Sequence, residues 1–323
     1  MAKKIVVVGS VNLDLVASVP RLPAEGETLM GHDFASYAGG KGANQAVGAA
    51  RLGAHVAMVG RLGNDLFAER LRGELDEAGV DTEAVRNVDG PSGSAVILVT
   101  PGGGNSIVVV PGANSSLRPE HLDEHLDLFR DASVILSQLE IPLETVEHVG
   151  SVATSLGVPF VLDPAPAQAL SPEILRNVTW LTPNETETRA ILKHLGHPMK
   201  DDAFDGNAIS AMAERILETG VRNLILKLGS RGIYLAGKDV PPTSIAPYRV
   251  RAIDTTAAGD AFNGGFAYGL TKGLAPIEAA RFACAVAAVS VTRVGAQRSM
   301  PTLPEVEALM NTPLEITESL LAN

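Results

Sequence analysis

The chain has a single cysteine, Cys284, so no intrachain disulfide can form, which fits a reducing compartment. Cys284 sits in Ala283-Cys284-Ala285-Val286-Ala287-Ala288-Val289, the setting of a small buried apolar residue rather than of a reactive thiol. Positive charge is also short. Lys and Arg number 26 against 37 Asp and Glu, a net charge of -11, and no Lys/Arg block offers a footprint for a nucleic-acid backbone. No nucleic-acid partner is expected, and an anionic substrate would need a local positive site. Long apolar runs are missing too. Met1-Ala2-Lys3-Lys4 followed by Ile5-Val6-Val7-Val8 has the order of a signal peptide, but the run is short and passes into Asn12 and Asp14 with no cleavage-type site. The uncharged stretch between Arg281 and Arg293 is too short to span a bilayer. A soluble, cytoplasmic protein without a membrane partner is the expectation. Two nucleotide motifs are absent as well. There is no Gly-x4-Gly-Lys-Ser/Thr loop, and Gly9 lacks the Gly-x-x-Gly continuation of the dinucleotide fingerprint.

What is present is ample for a large core: 323 residues, 46% of them hydrophobic, enough for one large α/β domain. Residues 4–9, 55–60, 134–139, 159–162, 180–182 and 223–228 read as strands. Residues 41–52, 65–78, 143–155, 208–219 and 260–272 read as helices, the second with Leu66, Phe67, Leu71 and Leu75 as its apolar side. This alternation predicts an α/β fold: a doubly wound, mostly parallel sheet flanked by helices. Residues 93–100 and 105–110 break the rhythm. Joined by Pro101-Gly102-Gly103-Gly104, they predict a hairpin that could form a small sheet with residues 15–38. His121 and His125, four apart on an expected helix, have no third ligand at a compelling spacing and read as surface residues.

The centre of the chain is Asp254-Thr255-Thr256-Ala257-Ala258-Gly259-Asp260, between the alternating run 248–253, read as a strand, and a helix of small residues. A helix start offers unpaired N–H groups and partial positive charge, suited to a phosphate. Asp260 stands at that point. A carboxylate there repels phosphate, which makes sense if it takes a proton from an attacking alcohol; an N-cap is the plainer role for it. Asn12 and Asp14 follow the first strand, at the edge where open α/β sheets bind ligands. In Gly39-Gly40-Lys41-Gly42-Ala43-Asn44-Gln45-Ala46 the glycines permit close backbone approach, with Lys41 and Asn44 on one face of the first turn. Other strands end in Glu140, in Asp163-Pro164-Ala165-Pro166, in Thr182-Pro183-Asn184-Glu185-Thr186-Glu187 and in Gly229-Ser230-Arg231-Gly232. Together these supply an anion nest, a carboxylate base, polar groups for a polyol and an acidic turn for Mg²⁺, the parts phosphoryl transfer requires.

In these motifs, in this order, the chain resembles the PfkB carbohydrate kinase family and its ribokinase branch, over nearly its whole length from Gly9 to Gln297. The resemblance implies a single ribokinase-like domain over residues 1–323, with a β lid formed by about residues 15–38 and 93–110. It implies ATP-dependent phosphorylation of ribose at its 5-hydroxyl, with deoxyribose, fructose or a nucleoside as alternative acceptors; a non-catalytic sugar-binding protein is the rival of another class. Asp260 would be the base, and the amides of Ala257, Ala258 and Gly259 the anion hole, with Ala258 where the family commonly has glycine. Asn12, Asp14, Gly40, Lys41, Asn44 and Glu140 match sugar-binding positions, and Ala95 and Val109 match apolar contacts on the sugar. Asn184 and Glu187 match a motif for phosphate and Mg²⁺. Lys227, Gly229, Ser230 and Gly232 match the nucleotide loop, Lys227 standing where ribokinases often carry threonine. A K⁺ site would use Asp254 and Ser299 with carbonyls of Thr256, Ser290, Arg293 and Gly295. A homodimer through the lid is implied as well.

Overall fold

The computed structural model describes residues 4–102, 104–198 and 206–312. Its strands, in chain order, are β1 (Lys4–Val8), β2 (Asn12–Ser18), β3 (Asp33–Gly39), β4 (His55–Leu62), β5 (Val80–Asp81), β6 (Val85–Asn87), β7 (Gly93–Val99), β8 (Asn105–Val110), β9 (Ala132–Ser137), β10 (Phe160–Leu162), β11 (Trp180–Leu181), β12 (Asn223–Lys227), β13 (Ile233–Gly237) and β14 (Thr243–Ile245). The main sheet runs β14-β13-β12-β11-β10-β9-β1-β4-β5, with β6 beside β4. All pairs from β12 to β5 are parallel, while β13 and β14 add an antiparallel edge.

The unbroken apolar run of β1 follows from its place in the middle of this sheet. Side chains alternate across a strand. Ile5 and Val7 enter one core, with Ala43, Phe262, Phe266 and Ala283; Val6 and Val8 enter the other, with Val149, Phe160 and Leu175. Both faces are covered by helices, so Ile5 to Val8 are all apolar, while Lys4, at the start of the strand, is only half-buried. Lys41–Arg51, Ala258–Thr271 and Pro276–Ser290 cover the first face, and Leu143–Leu156 and Glu185–His194 the second.

The hairpin lies outside this sheet, as its sequence predicts. β7 and β8 pair antiparallel, β2 joins β7 in parallel, and β3 closes a four-stranded sheet in the order β3-β2-β7-β8. Gly103, in the predicted hairpin connection, lies outside the described residues.

Three expectations need correction. Residues 248–253 form no strand; the segment leaves the sheet edge after β14, Ile253 is exposed, and the amides of Ile253 and Asp254 donate to Val291 O instead. The alternation there comes from two partly buried side chains, Tyr248 and Val250, and not from pairing with a strand. In the helix Leu66–Glu77 the buried stripe is Ala68, Leu71 and Leu75, whereas Leu66 is exposed: five residues before Leu71 puts it on the other side of the helix. His121 and His125 do not share a helix. Pro119–Asp123 ends between them, His125 precedes Leu126–Arg130, and His121 Nδ1 accepts from Arg118 N at 3.0 Å. Among the described residues no helix is long and apolar enough to cross a membrane.

Candidate active site

The parallel strands end along one edge, and that is where the predicted polar residues meet. Two glycines decide how closely the pieces approach. A methyl group on Gly42 would lie 2.7 Å from the backbone of Gly9 and Ser10. Gly40, at φ 87, leaves the turn at 10–12 just as little space. The turn after β1 therefore packs directly on the start of helix Lys41–Arg51, with Ala43 N donating to Ser10 O at 2.9 Å. Asn12 comes to lie against Gly40, and Asp14 close enough to Lys41 to feel its charge. Glu140 fastens the junction: its Oε2 accepts from Ser10 Oγ (2.6 Å), Asn12 Nδ2 (3.3 Å) and Lys41 N (3.1 Å). Asn114 adds a further tie, with Nδ2 donating to Asn12 Oδ1 at 2.7 Å.

The small sheet sets Asp14, Ala95 and Val109 in one row. Asp14 pairs with Ala95 across β2 and β7, and Ala95 with Val109 across β7 and β8. Residues opposite one another share a face, so the two apolar side chains continue the row on one side of the carboxylate. Gly39 makes room for that carboxylate, since a methyl group there would overlap it. Burial, with Glu140 and Asp260 nearby, pushes Asp14 up to about 7 against the opposing pull of Lys41.

Asp260 lies in the first turn of Ala258–Thr271 and is almost wholly buried. It is not that helix's N-cap; that place belongs to Ala257, held in the left-handed region at φ 58. The amide of Ala258 donates to Thr255 O at 3.2 Å, whereas no such bond engages the amides of Ala257 and Gly259. The carboxylate of Asp260 faces Lys41–Arg51: Oδ2 accepts from Asn44 Nδ2 at 3.0 Å and Oδ1 from Gln45 Nε2 at 3.1 Å. Burial raises it to about 6; Asp163 adds to the rise, and Lys41, Asn44 and Gln45 resist it. Burial also opposes the charge on Lys41, but Asp260, Asp163, Glu140 and Glu187 outweigh this and raise its ammonium above the ordinary lysine value.

A model of the pfkB family of carbohydrate kinases matches residues 2–303. The chain belongs to that family. It is 40% identical over 306 residues to the ribokinase of Haemophilus influenzae, covering 94% of this chain and 97% of that one. A deoxyribokinase of Salmonella typhi is 36% identical over 304 residues, covering 93% and 96%. The structure of Arabidopsis thaliana ribokinase complexed with ribose and ATP matches with a TM-score of 0.89 at 36% identity, covering 97% of this chain and all of that one. The fold is thus ribokinase-like, and the four-stranded sheet is its lid.

For a kinase of this family the remaining site residues fall into two groups. Along the strand ends, Asn184 and Glu187 form a reciprocal cap. Asn184 N donates to Glu187 Oε2 at 2.7 Å, and Glu187 N to Asn184 Oδ1 at 2.9 Å. Burial, then Asp163, raises the Glu187 carboxyl, with Lys227 opposing. Lys227 ends β12, and Gly229–Arg231 forms a single turn after it that carries Ser230. Gly232 closes the turn at φ 87, directly under the Ile245 carbonyl. The second group lies behind Ala257. Asp254 Oδ1 accepts from Thr256 N (2.9 Å) and Thr256 Oγ1 (2.7 Å), and its Oδ2 from Gly295 N (2.9 Å). These bonds overcome partial burial and hold Asp254 below the usual carboxylate range. Ser290 and Ser299 are buried, their hydroxyls donating to Ala287 O and Ala296 O at 2.8 Å each, and Arg293 N donates to Ser290 O at 3.4 Å.

Sequence reasoning missed five side chains that build the site: Ser10, Gln45, Asn114, Gln138 and Asp163. Asp163 had a usable signal, since it follows a strand just as Glu140 does. Gln45 stood beside Asn44 inside a motif already singled out. Asn114 had none, because the short turn Gly112–Ser116 carries no pattern of its own.

Proposed function

We propose that this chain transfers the γ-phosphoryl group of ATP to the 5-hydroxyl of D-ribose, giving ribose 5-phosphate and ADP. The observation that carries the reading is Asp260: a buried carboxylate at the first turn of a helix, gripped by two amides, with the amides of Ala257 and Gly259 beside it. The hydroxyl gives its proton to Asp260 as its oxygen bonds to phosphorus. The bond from phosphorus to the bridging oxygen breaks, and ADP leaves with that electron pair. The N–H groups of Ala257 and Gly259 face the negative charge on the transferring group, and that of Ala258 joins them by leaving Thr255 O. Asn12, Asp14, Lys41, Asn44 and Glu140, with the backbone of Gly40, grip the sugar hydroxyls, while Ala95 and Val109 cover its apolar side. Gly229, Ser230 and Gly232 line the nucleotide.

The donor set suits the expected ions. Among the described residues no group of three His, Cys, Asp or Glu side chains could cage a metal. Mg²⁺ prefers to keep several waters and rest on substrate phosphates, so Asn184 and Glu187 would hold it through water. Bound there, it would neutralise phosphate charge. Asp254, Ser299 and the carbonyls of Thr256, Ser290, Arg293 and Gly295 are all oxygen donors, as a K⁺ ion requires. That ion would stiffen the loop that carries Ala257. Residues 1–323 act as one kinase unit in the cytoplasm, paired with a second copy through the lid. Deoxyribose is the rival acceptor, because a deoxyribokinase matches this chain as closely as the ribose-bound structure does.

The test is ADP release from Mg-ATP with ribose, deoxyribose, fructose and adenosine in parallel, with and without K⁺. Ribose should give the strongest signal, and K⁺ should raise it. Silence with all four despite measurable sugar binding would favour a non-catalytic sugar-binding protein.

A further inference from the structure

Lys227 reaches further than the nucleotide turn it precedes. Its Nζ donates to Asp163 Oδ1 at 2.9 Å, and a methyl group built on Gly259 would lie 3.3 Å from that nitrogen. The ammonium therefore stands beside the first turn of Ala258–Thr271, next to the residue that precedes Asp260. It is 12% exposed and its partner 3%. Asp163 is itself held in place. Its Oδ2 accepts from Gln45 Nε2 at 3.0 Å, and that same nitrogen donates to Asp260 Oδ1 at 3.1 Å. Gln138 Nε2 fixes the amide by donating to Gln45 Oε1 at 2.8 Å, and a flipped amide would set an oxygen against two carboxylates. One amide thus registers the Asp163–Lys227 pair to Asp260.

Stability alone is a weak reason for such a pair, because burying two charges costs about as much as their attraction returns. Position is the better reason. An ammonium has three donors, and the bond to Asp163 uses one. The others are available to the space in front of residues 257–259.

We propose that Lys227 grips the γ-phosphoryl group during transfer, completing the anion hole on the side of Gly259, and that Asp163 is the positioning residue that aims it. This rests on the kinase reading and deepens it: a lysine next to the nucleotide turn serves the phosphate being transferred, not the part of the nucleotide that stays behind.

The test compares the affinity of ADP with that of an ATP analogue whose β–γ bridge is an imido group, both with Mg²⁺, in the full chain. In Lys227→Met the analogue should bind about tenfold more weakly while ADP is unchanged. Steady-state kcat should fall by about 10²–10³-fold, the usual effect of losing one donor to a developing oxyanion, with the sugar KM unmoved. Lys227→Arg should recover much of the preference for the analogue. Asp163→Asn should lose that preference although the lysine remains, which a purely structural role would not produce. Lys227→Gln serves if the methionine variant does not fold. Equal weakening of ADP and analogue, or an unchanged kcat in Lys227→Met, would overturn the proposal. A wild-type chain that prefers the analogue through Lys227 yet phosphorylates no sugar would overturn the kinase reading and the role in transfer, and leave only the contact of Lys227 with the γ-phosphate.

Discussion

Asp260 is a carboxylate whose surroundings oppose its charge, and that has a consequence for pH. Burial raises it to about 6, helped by Asp163 and resisted by Lys41, Asn44 and Gln45. A general base works ionised, so activity should be full above that value and fall as pH drops through it. Asp14, raised to about 7 and itself acted on by Asp260, titrates in the same window. The two separate in Asp14→Asn, where the acid limb of kcat that remains should sit near 6. A profile flat down to pH 5 in that variant would contradict the assignment. At this scale the sequence was informative where a residue type was odd for its place, as with an acid in an anion nest. Gln45 and Asp163 lay inside quoted motifs but were given no role, because their importance lies in a shared hydrogen bond between segments far apart in the chain.

Among the elements, the long parallel strands were legible because a strand covered on both faces must be apolar throughout, as β1 is. β10 and β11 are just as short as β5, β6 and β14, but they are buried throughout, whereas exposed residues in the other three break the apolar run, and the stretch at 248–253 alternates without a partner. Helix Lys41–Arg51 illustrates what no pattern reveals. It touches the turn after β1 backbone to backbone, through Gly42. Gly42→Ala should therefore cost about 1–3 kcal/mol, the usual penalty of overpacking, although alanine is the better helix former. The urea midpoint measures this. Unchanged stability would mean that the helix start can shift away from Gly9 and Ser10 without loss. Because Lys41 and Asn44 ride on that turn, sugar affinity should weaken in the same variant.

For the molecule as a whole, the lid raises the question of what covers it. Ile107, Val108, Val109 and Val110 of β8 are all exposed, as is Val96 on β7. Consecutive exposed residues on a strand mean that both of its faces are open. One face carries the row Asp14–Ala95–Val109; Val96 and Val108, a cross-strand pair, lie on the other. An apolar edge strand of this kind invites association. Sedimentation should show a dimer, and Val108→Asp should give a monomer with its fold intact. A wild-type chain that sediments as a monomer at all accessible concentrations would remove the lid-mediated pair. The mostly parallel sheet and its polar edge were readable from βα alternation, whereas the order of its strands was not, and the outer face of the lid had no signature beyond a β-branched run.

The most direct test of a phosphoryl-transfer site built on Asp260 is Asp260→Asn, measured twice: by turnover with Mg-ATP and ribose, and by calorimetric titration of ribose. Asparagine keeps the size of the side chain and cannot take the proton. Turnover should fall by about 10²–10⁴-fold, the usual contribution of a positioned base, while ribose affinity stays close to wild type. Turnover near wild type with binding intact would show that another group takes the proton, and the mechanism argued from this site would be wrong.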